Sequence, residues 1–221
     1  GQTKLNQVGT IELVSFIILR NPENIALVPE AELSLIPFPA QDIFLRELGR
    51  FDLVIFDNFS YARVFPISSL EAVRRFVLEQ GGGFAMLGGE NSFGRGGYRG
   101  TPVDDLLPVA MTGTDELVDA GRFRARVPDL AHPLAGLGLD PGEARKAWEN
   151  GPEMWGLNRL GALRPGAAGV GLHPDLKNER GPLPVISAWP KGKGRVLAMA
   201  SNSTWRWAFG AAAAGQSPVL Y

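Results

Sequence analysis

Two apolar runs, Phe51–Phe56 (FDLVIF) and Phe84–Leu87 (FAML), bracket a segment patterned as a helix, and this triplet constrains the fold more than any other stretch of the chain. Between the runs, Ser68 and Glu71 have the spacing of a capping box, in which each side chain satisfies an orphan N–H at a helix start. Leu70, Val73 and Val77 make an apolar stripe at helical spacing. Gly81, Gly82 and Gly83 then stop the helix. A strand, a helix and a strand joined this tightly predict a parallel pair with a crossover connection. The second run passes directly into Gly88–Gly100 (GGENSFGRGGYRG), after which Thr101 and Pro102 open a helical turn.

The other elements extend this pattern. Ile11–Leu19 (IELVSFIIL) is apolar and β-branched, as in a strand covered on both faces. Gly1–Thr10 is too short and polar to supply a preceding strand and helix, and Ala208–Tyr221 stops without an obvious helix end, so truncation is expected at both ends. Gln41–Leu48 reads as a short helix with Ile43, Phe44 and Leu48 on one side. Arg122–Val127 alternates arginines with Phe123, Ala125 and Val127, the mark of a strand with one wet face. Asp140, Pro141 and Glu143 start a helix that runs to about Asn150, and Gly166–Leu172 reads as a strand. Leu183–Trp189 and Arg195–Ala200 flank Pro190–Gly194 (PKGKG) and predict an antiparallel hairpin. Residues 1–221 read as a single α/β domain.

Composition removes whole classes of chemistry. The chain has no cysteine, so disulfides, thiolate metal sites and a cysteine nucleophile are excluded. It has only two histidines, too few for a three-histidine metal site. The 22 basic and 23 acidic residues argue against nucleic-acid binding through bulk charge. No apolar run approaches the ~20 residues of a membrane span.

In open α/β sheets, ligands bind outside the carboxyl ends of the parallel strands. Asp57–Tyr61, Gly88–Tyr98 and Ser201–Trp207 fall there. The ligand-binding candidates are Asp57, Asn58, Gly88, Gly89, Glu90, Asn91, Ser92, Arg95, Tyr98, Ser203, Trp205 and Arg206. The glycine loop fits no phosphate motif: Gly89 and Gly94 have P-loop spacing, but Arg95 and Gly96 follow where Lys and Ser/Thr belong. Ser92 lacks the glycine that a nucleophile elbow needs at position 90 and reads as a structural hydroxyl. Glu90 suits a cation, an amine or a salt bridge to Arg95 or Arg99. His132 reads as a capping or packing residue. His173 has a carboxylate two residues on, at Asp175, as a triad or metal pair would.

Taken together, Leu33–Pro39 (LSLIPFP), Phe51–Phe59 (FDLVIFDNF), Gly81–Gly97, Thr101–Val109 (TPVDDLLPV) and Gly194–Trp207 (GRVLAMASNSTWRW) resemble the glutamine amidotransferase-like domains of bacteria. The resemblance covers the chain from about Leu13 onward. It implies a three-layer, flavodoxin-like sandwich with a mostly parallel sheet and an antiparallel hairpin near the C-terminus. It also implies the company of von Willebrand factor A modules in membrane-anchored, cell-envelope proteins, with other modules of a larger polypeptide as partners. Class I amidotransferases carry a nucleophilic cysteine at the sharp turn after a strand. Here that turn is Leu87–Asn91, with Gly88, Gly89 and Glu90 and no cysteine. His173-Pro174-Asp175 resembles the relatives' His-Pro-Glu in letters, but two strand candidates follow it, and Ser201–Trp207 holds no histidine. No cofactor, no metal and no catalytic residue is implied. The expectation is a pseudoenzyme that binds a small molecule or partner domain through its strand-end loops. The alternatives are a hydrolase or transferase using Ser92, Glu90, Asp57 or His173, and a structural spacer of an envelope protein.

Overall fold

In a computed structural model, residues 2–6, 10–15, 40–62, 64, 66–113, 116–151, 153–201 and 203 are described. The chain divides into two compact units, Gly1–Ala40 and Gln41–Tyr221. In the first, β1 (Gln2–Asn6) and β2 (Thr10–Val14) form an antiparallel hairpin with Gln2 opposite Val14 and Asn6 opposite Thr10. Gly1–Thr10 thus supplies a strand, paired with β2 in a two-stranded sheet, but no helix among the described residues. Ladder hydrogen bonds need backbone, not apolar side chains, and a polar strand serves when one face is wet. Nor is β2 covered on both faces, since Glu12–Ser15 are exposed. Phe16–Leu19 and Leu33–Pro39 lie outside the described residues.

The second unit opens with a helical segment. It starts as α1 (Ala40–Asp42), widens over Ile43–Glu47 and tightens over Leu48–Arg50, burying Phe44 and Leu48. β3 (Leu53–Asp57) follows, then α2 (Ile67–Arg75), a further wide turn Phe76–Gln80, and β4 (Gly83–Leu87). Leu70, Val73 and Val77 are fully buried, so the apolar stripe drives this packing. Gly81 ends the helix with φ +86°. The capping box does not form: Pro66 is the N-cap, and no side chain caps this helix start. Pro66 is already extended at ψ 162°, so helical geometry begins at Ile67 and places Ser68 inside the first turn.

Further elements are β5 (Leu117–Val118), α3 (Pro133–Gly136), α4 (Pro141–Asn150), β6 (Leu157–Asn158), β7 (Ala168–Asn178), β8 (Gly181–Lys191) and β9 (Gly194–Met199). Asp140 caps α4 by accepting from the Gly142 and Glu143 N–H groups. Arg122–Val127 keeps its alternation, with Phe123 and Ala125 buried, but it pairs only at isolated bridges and makes no continuous strand.

The main sheet has the order β3-β4-β9-β8-β7. β3, β4 and β9 are parallel, while β8 is antiparallel to both β9 and β7. The sheet is therefore mixed: the hairpin expected around Pro190–Gly194 supplies the β8–β9 pairing, and β7 adds a second antiparallel pairing on the far side of β8. β5 and β6 make a separate antiparallel pair. Under the carboxyl ends of β3 and β4 lies an aromatic cluster. Phe56 packs edge-on against Phe84 (5.2 Å) and Phe59 (5.5 Å), and Tyr98 lies 6.0 Å from Phe56. Each such pair contributes about 0.5–1.5 kcal/mol beyond its burial. The cluster is the floor on which the glycine loop rests. No helix among the described residues is long and apolar enough to cross a membrane.

Candidate functional site

The parallel run β3-β4-β9 brings the carboxyl ends of three strands side by side, as the expected cleft requires. The three ends differ in what they present. β3 ends in Asp57, followed by Asn58 at φ +43°. Both side chains are exposed. Partial desolvation at the strand end raises the Asp57 carboxyl above its ordinary value. Asn58 turns its Oδ1 toward the next loop and accepts the Asn91 N–H at 2.9 Å.

The end of β4 is closed. Gly88 and Gly89 are buried, and each lies where a side chain has no room. A Cβ on Gly88 would stand 2.4 Å from the Ala200 carbonyl oxygen and 2.7 Å from Asn158 Oδ1. Gly89 has φ +134°, and a Cβ there would stand 2.3 Å from Asn58 Oδ1. Asn158, fully buried on β6, grips Gly89 from both sides. The Gly89 N–H donates to Asn158 Oδ1 (2.8 Å), and Asn158 Nδ2 donates to the Gly89 carbonyl (3.0 Å). The Asn158 backbone N–H donates to the Ala200 carbonyl (2.8 Å), so one residue ties β4 to β9.

A second clamp closes the end of β9. The Trp155 N–H donates to Ser203 Oγ (3.3 Å), the Ser201 and Ser203 hydroxyls lie 2.7 Å apart, and Ser201 Oγ donates to the Trp155 carbonyl (3.4 Å). One proton order satisfies all of these: Trp155 N–H to Ser203, Ser203 to Ser201, Ser201 to the Trp155 carbonyl. Both serines are buried. The segment Trp155–Asn158 thus fills the crevice between β4 and β9.

The remainder of the loop is built as a shelf. Ser92 Oγ donates to the Leu87 carbonyl at 2.5 Å, which commits the hydroxyl to its own turn. Tyr98 is buried and donates its hydroxyl to the Phe59 carbonyl at 2.7 Å, and burial, then Tyr61, pushes its phenol up. Glu90, Asn91 and Arg95 are exposed on the rim. Arg95 Nε donates to the Glu90 carbonyl at 3.3 Å, so this contact is with the backbone and not with the carboxylate. Trp205 and Arg206 lie outside the described residues.

His173 is not part of this assembly. It sits on β7, and β9 and β8 stand between it and β4. Three strand spacings amount to about 14 Å. Its Nδ1 accepts the Asp175 N–H (3.1 Å) and Leu176 N–H (2.9 Å), and its ring lies 4.3 Å from that of Phe123. Burial lowers its pKa, with Asp175 opposing weakly. His132 caps α3 by accepting the Leu134 N–H. Among the described residues, no group of three or more His, Asp or Glu side chains is placed to hold a metal ion.

Asn158 and Trp155 are not singled out by the sequence, and Ser201 enters only as the first residue of the strand-end loop Ser201–Trp207. Asn158 stands in an unremarkable stretch 69 residues from the glycine it holds, and no local signal marks it.

Residues 39–214 match the model of a family described as "Putative glutamine amidotransferase". Two solved structures share the fold. The cytoplasmic protein STM3548 of Salmonella typhimurium is 21% identical with a TM-score of 0.59, over 80% of this chain and 69% of that one. The cytoplasmic protein STM1381 of Salmonella typhimurium LT2 is 20% identical with a TM-score of 0.58, over 79% of this chain and 72% of that one. No curated protein matches the chain.

Proposed function

The chain belongs to the family of putative glutamine amidotransferases, and from that membership we propose that it is a non-catalytic member that binds a ligand or partner domain at the rim of its β3 and β4 strand ends. The observation that carries this reading is the lack of space at Gly88 and Gly89. The relatives' nucleophile belongs at the turn after β4. Here the first two positions of that turn are glycines whose Cβ sites are taken by Asn158, Asn58 and the Ala200 carbonyl. A side chain added at Gly88 meets backbone, which cannot swing aside. The first position with an exposed side chain is Glu90, a carboxylate. Ser92, the next hydroxyl along the chain, donates to Leu87, and His173 stands on β7, with β9 and β8 between it and β4.

What stays accessible is polar and on one side: Asp57, Asn58, Glu90, Asn91 and Arg95. A carboxyl held above its ordinary value at a strand end is a group that gains by meeting a donor or a cation. The three-layer, flavodoxin-like arrangement of the relatives is part of this proposal and is supported by the parallel run β3-β4-β9. So is a place as one module of a larger, envelope-associated polypeptide, which the sequences flanking this chain in its parent protein test directly.

The binding claim is tested by a thermal-shift screen of amino acids, amides, amines and sugars on the intact chain. A ligand that raises the melting temperature, with the rise lost in Asp57→Asn or Glu90→Gln, is the expected result. Ligand shifts indifferent to both substitutions, or none at all, would leave a spacer as the better account.

A further inference from the structure

The opposite end of the sheet, where β3, β4 and β9 begin, carries a second polar assembly. Lys191 ends β8, and its ammonium sits 4.0 Å from the centre of the Trp189 ring. Trp189 is pinned, because its indole N–H donates to the Leu106 carbonyl at 2.7 Å. This places Lys191 and Trp189 beside the turn Asp104–Leu106. There Arg164 meets Asp104: Nη2 donates to Oδ1 at 2.7 Å and to the carbonyl at 3.3 Å, while Nε donates to the Val109 carbonyl at 3.4 Å. On the other flank, the Lys193 N–H donates to the Leu78 carbonyl at 3.0 Å, and Gly192 lies so close to Leu78 that a Cβ would stand 2.6 Å from its Cα. Arg74 is one helical turn before Leu78 and is half-buried on the same flank.

The charges here do not balance. Arg164 and Asp104 offset one another, which leaves Lys191 and Arg74 as two cations against the exposed Asp105. Among the described residues neither the Lys191 nor the Arg74 side chain has an ion pair or hydrogen bond. Burial, then Arg164, draw the Lys191 ammonium below the ordinary lysine range, with Arg74 adding to this and Asp105 opposing it. Like charges on free side chains separate into solvent. Here Arg164 is tied at three oxygens and Lys191 rests on an anchored indole, so neither of these two is free to swing away.

We infer that Lys191, Arg74 and Arg164 form a binding site for a phosphate-class oxyanion, free or as a monoester. A lysine supplies a point charge and an arginine a planar fork of donors, the pair of groups that oxyanion recognition uses. The site is separate from the glycine loop and does not depend on the function proposed for that loop.

Equilibrium dialysis of the intact chain tests the inference, with radiolabelled inorganic phosphate in one arm and radiolabelled glycerol 3-phosphate in the other, at ionic strength fixed with chloride. Saturable binding of at least one probe is expected. It should weaken about tenfold or more in Lys191→Met and in Arg74→Gln, as loss of one charge-assisted contact implies. Both variants should keep the wild-type urea midpoint. Binding of phosphate in the first arm identifies the free ion, and binding in the second arm alone identifies a monoester. No saturable binding in either arm, or equal binding by the wild type and both variants, overturns the site.

Discussion

The end of β4 and the end of β3 sit next to each other in the sheet, yet one is filled and the other is open. At β4, two glycines lie against backbone and against two asparagine side chains, and Asn158 satisfies both the N–H and the C=O of Gly89. At β3, Asp57 and Asn58 reach solvent, and Asp57 bears the cost of partial desolvation. The difference teaches how two neighbouring strand ends of one sheet can diverge, one packed by distant side chains and backbone and the other left to solvent. On the proposed reading, the crevice that would admit a reacting group is occupied by the chain itself, and recognition is left to the rim.

The steepest test of that contrast is Gly88→Ala. Its new methyl group meets the Ala200 carbonyl, which belongs to the strand-end backbone, so the loss should be about 3 kcal/mol or more in urea unfolding. Glu90→Ala, two residues on and exposed, should change stability by less than about 0.5 kcal/mol. Equal effects would erase the distinction between a filled and an open end. Asn158→Ala comes next. It strands a buried donor and a buried acceptor on Gly89 and should cost about 2–4 kcal/mol. Hydrogen exchange should show the Gly89 amide losing protection while amides at the far end of β4 keep theirs. Ser203→Ala breaks one link of the hydroxyl relay to Trp155 and should cost about 1 kcal/mol.

Asp57→Asn gives the smallest effect and a diagnostic sign. The folded carboxyl titrates above its unfolded value of 3.8, so the folded state binds more protons between those two values. The wild type therefore loses stability as pH rises through that window, and the loss persists at neutral pH. Asp57→Asn should exceed the wild type slightly at pH 7 and match its difference from the unfolded chain in acid. A variant less stable than the wild type at neutral pH would show that Asp57 holds the structure together instead of waiting for a ligand. His173 supplies the opposite sign. Its folded pKa lies below 6.5, so stability should fall as pH drops from about 6.5 to the folded value, by no more than about 1.4 kcal/mol per pH unit. His173→Asn, which keeps an acceptor for Asp175 and Leu176, should flatten that segment of the curve.

Much of the scaffold was legible in the sequence because it rests on local pattern. Leu70, Val73 and Val77 announced α2, and PKGKG announced the β8–β9 hairpin. The order Asp57, Gly88 and Ser201 at three strand ends followed from the rule for parallel sheets. The errors came where local signals competed with backbone geometry. Pro66 started the helix before Ser68 could cap it, and Gln2–Asn6 paired as a strand despite its polarity. The mixed sheet was only half visible, since β7 gives little periodicity through its register shifts. The clamps were invisible for a different reason. Asn158 and Ser201 act on backbone atoms of distant residues, and backbone atoms leave no trace in composition or spacing; Ser203, a ligand-binding candidate in the sequence, is buried and bonded to Trp155 and Ser201. Gly88 and Gly89 stand out in the sequence, but what demands them is the Ala200 carbonyl and the side chains of Asn158 and Asn58, which only the folded chain brings there.

The most direct measurement is glutamine-dependent ammonia release by the intact chain, set beside Glu90→Ala and Ser92→Ala. The account predicts no release above buffer in any of the three. Release by the wild type that disappears in either variant would contradict it, since it would mean that the turn after β4 still carries out chemistry despite its filled crevice.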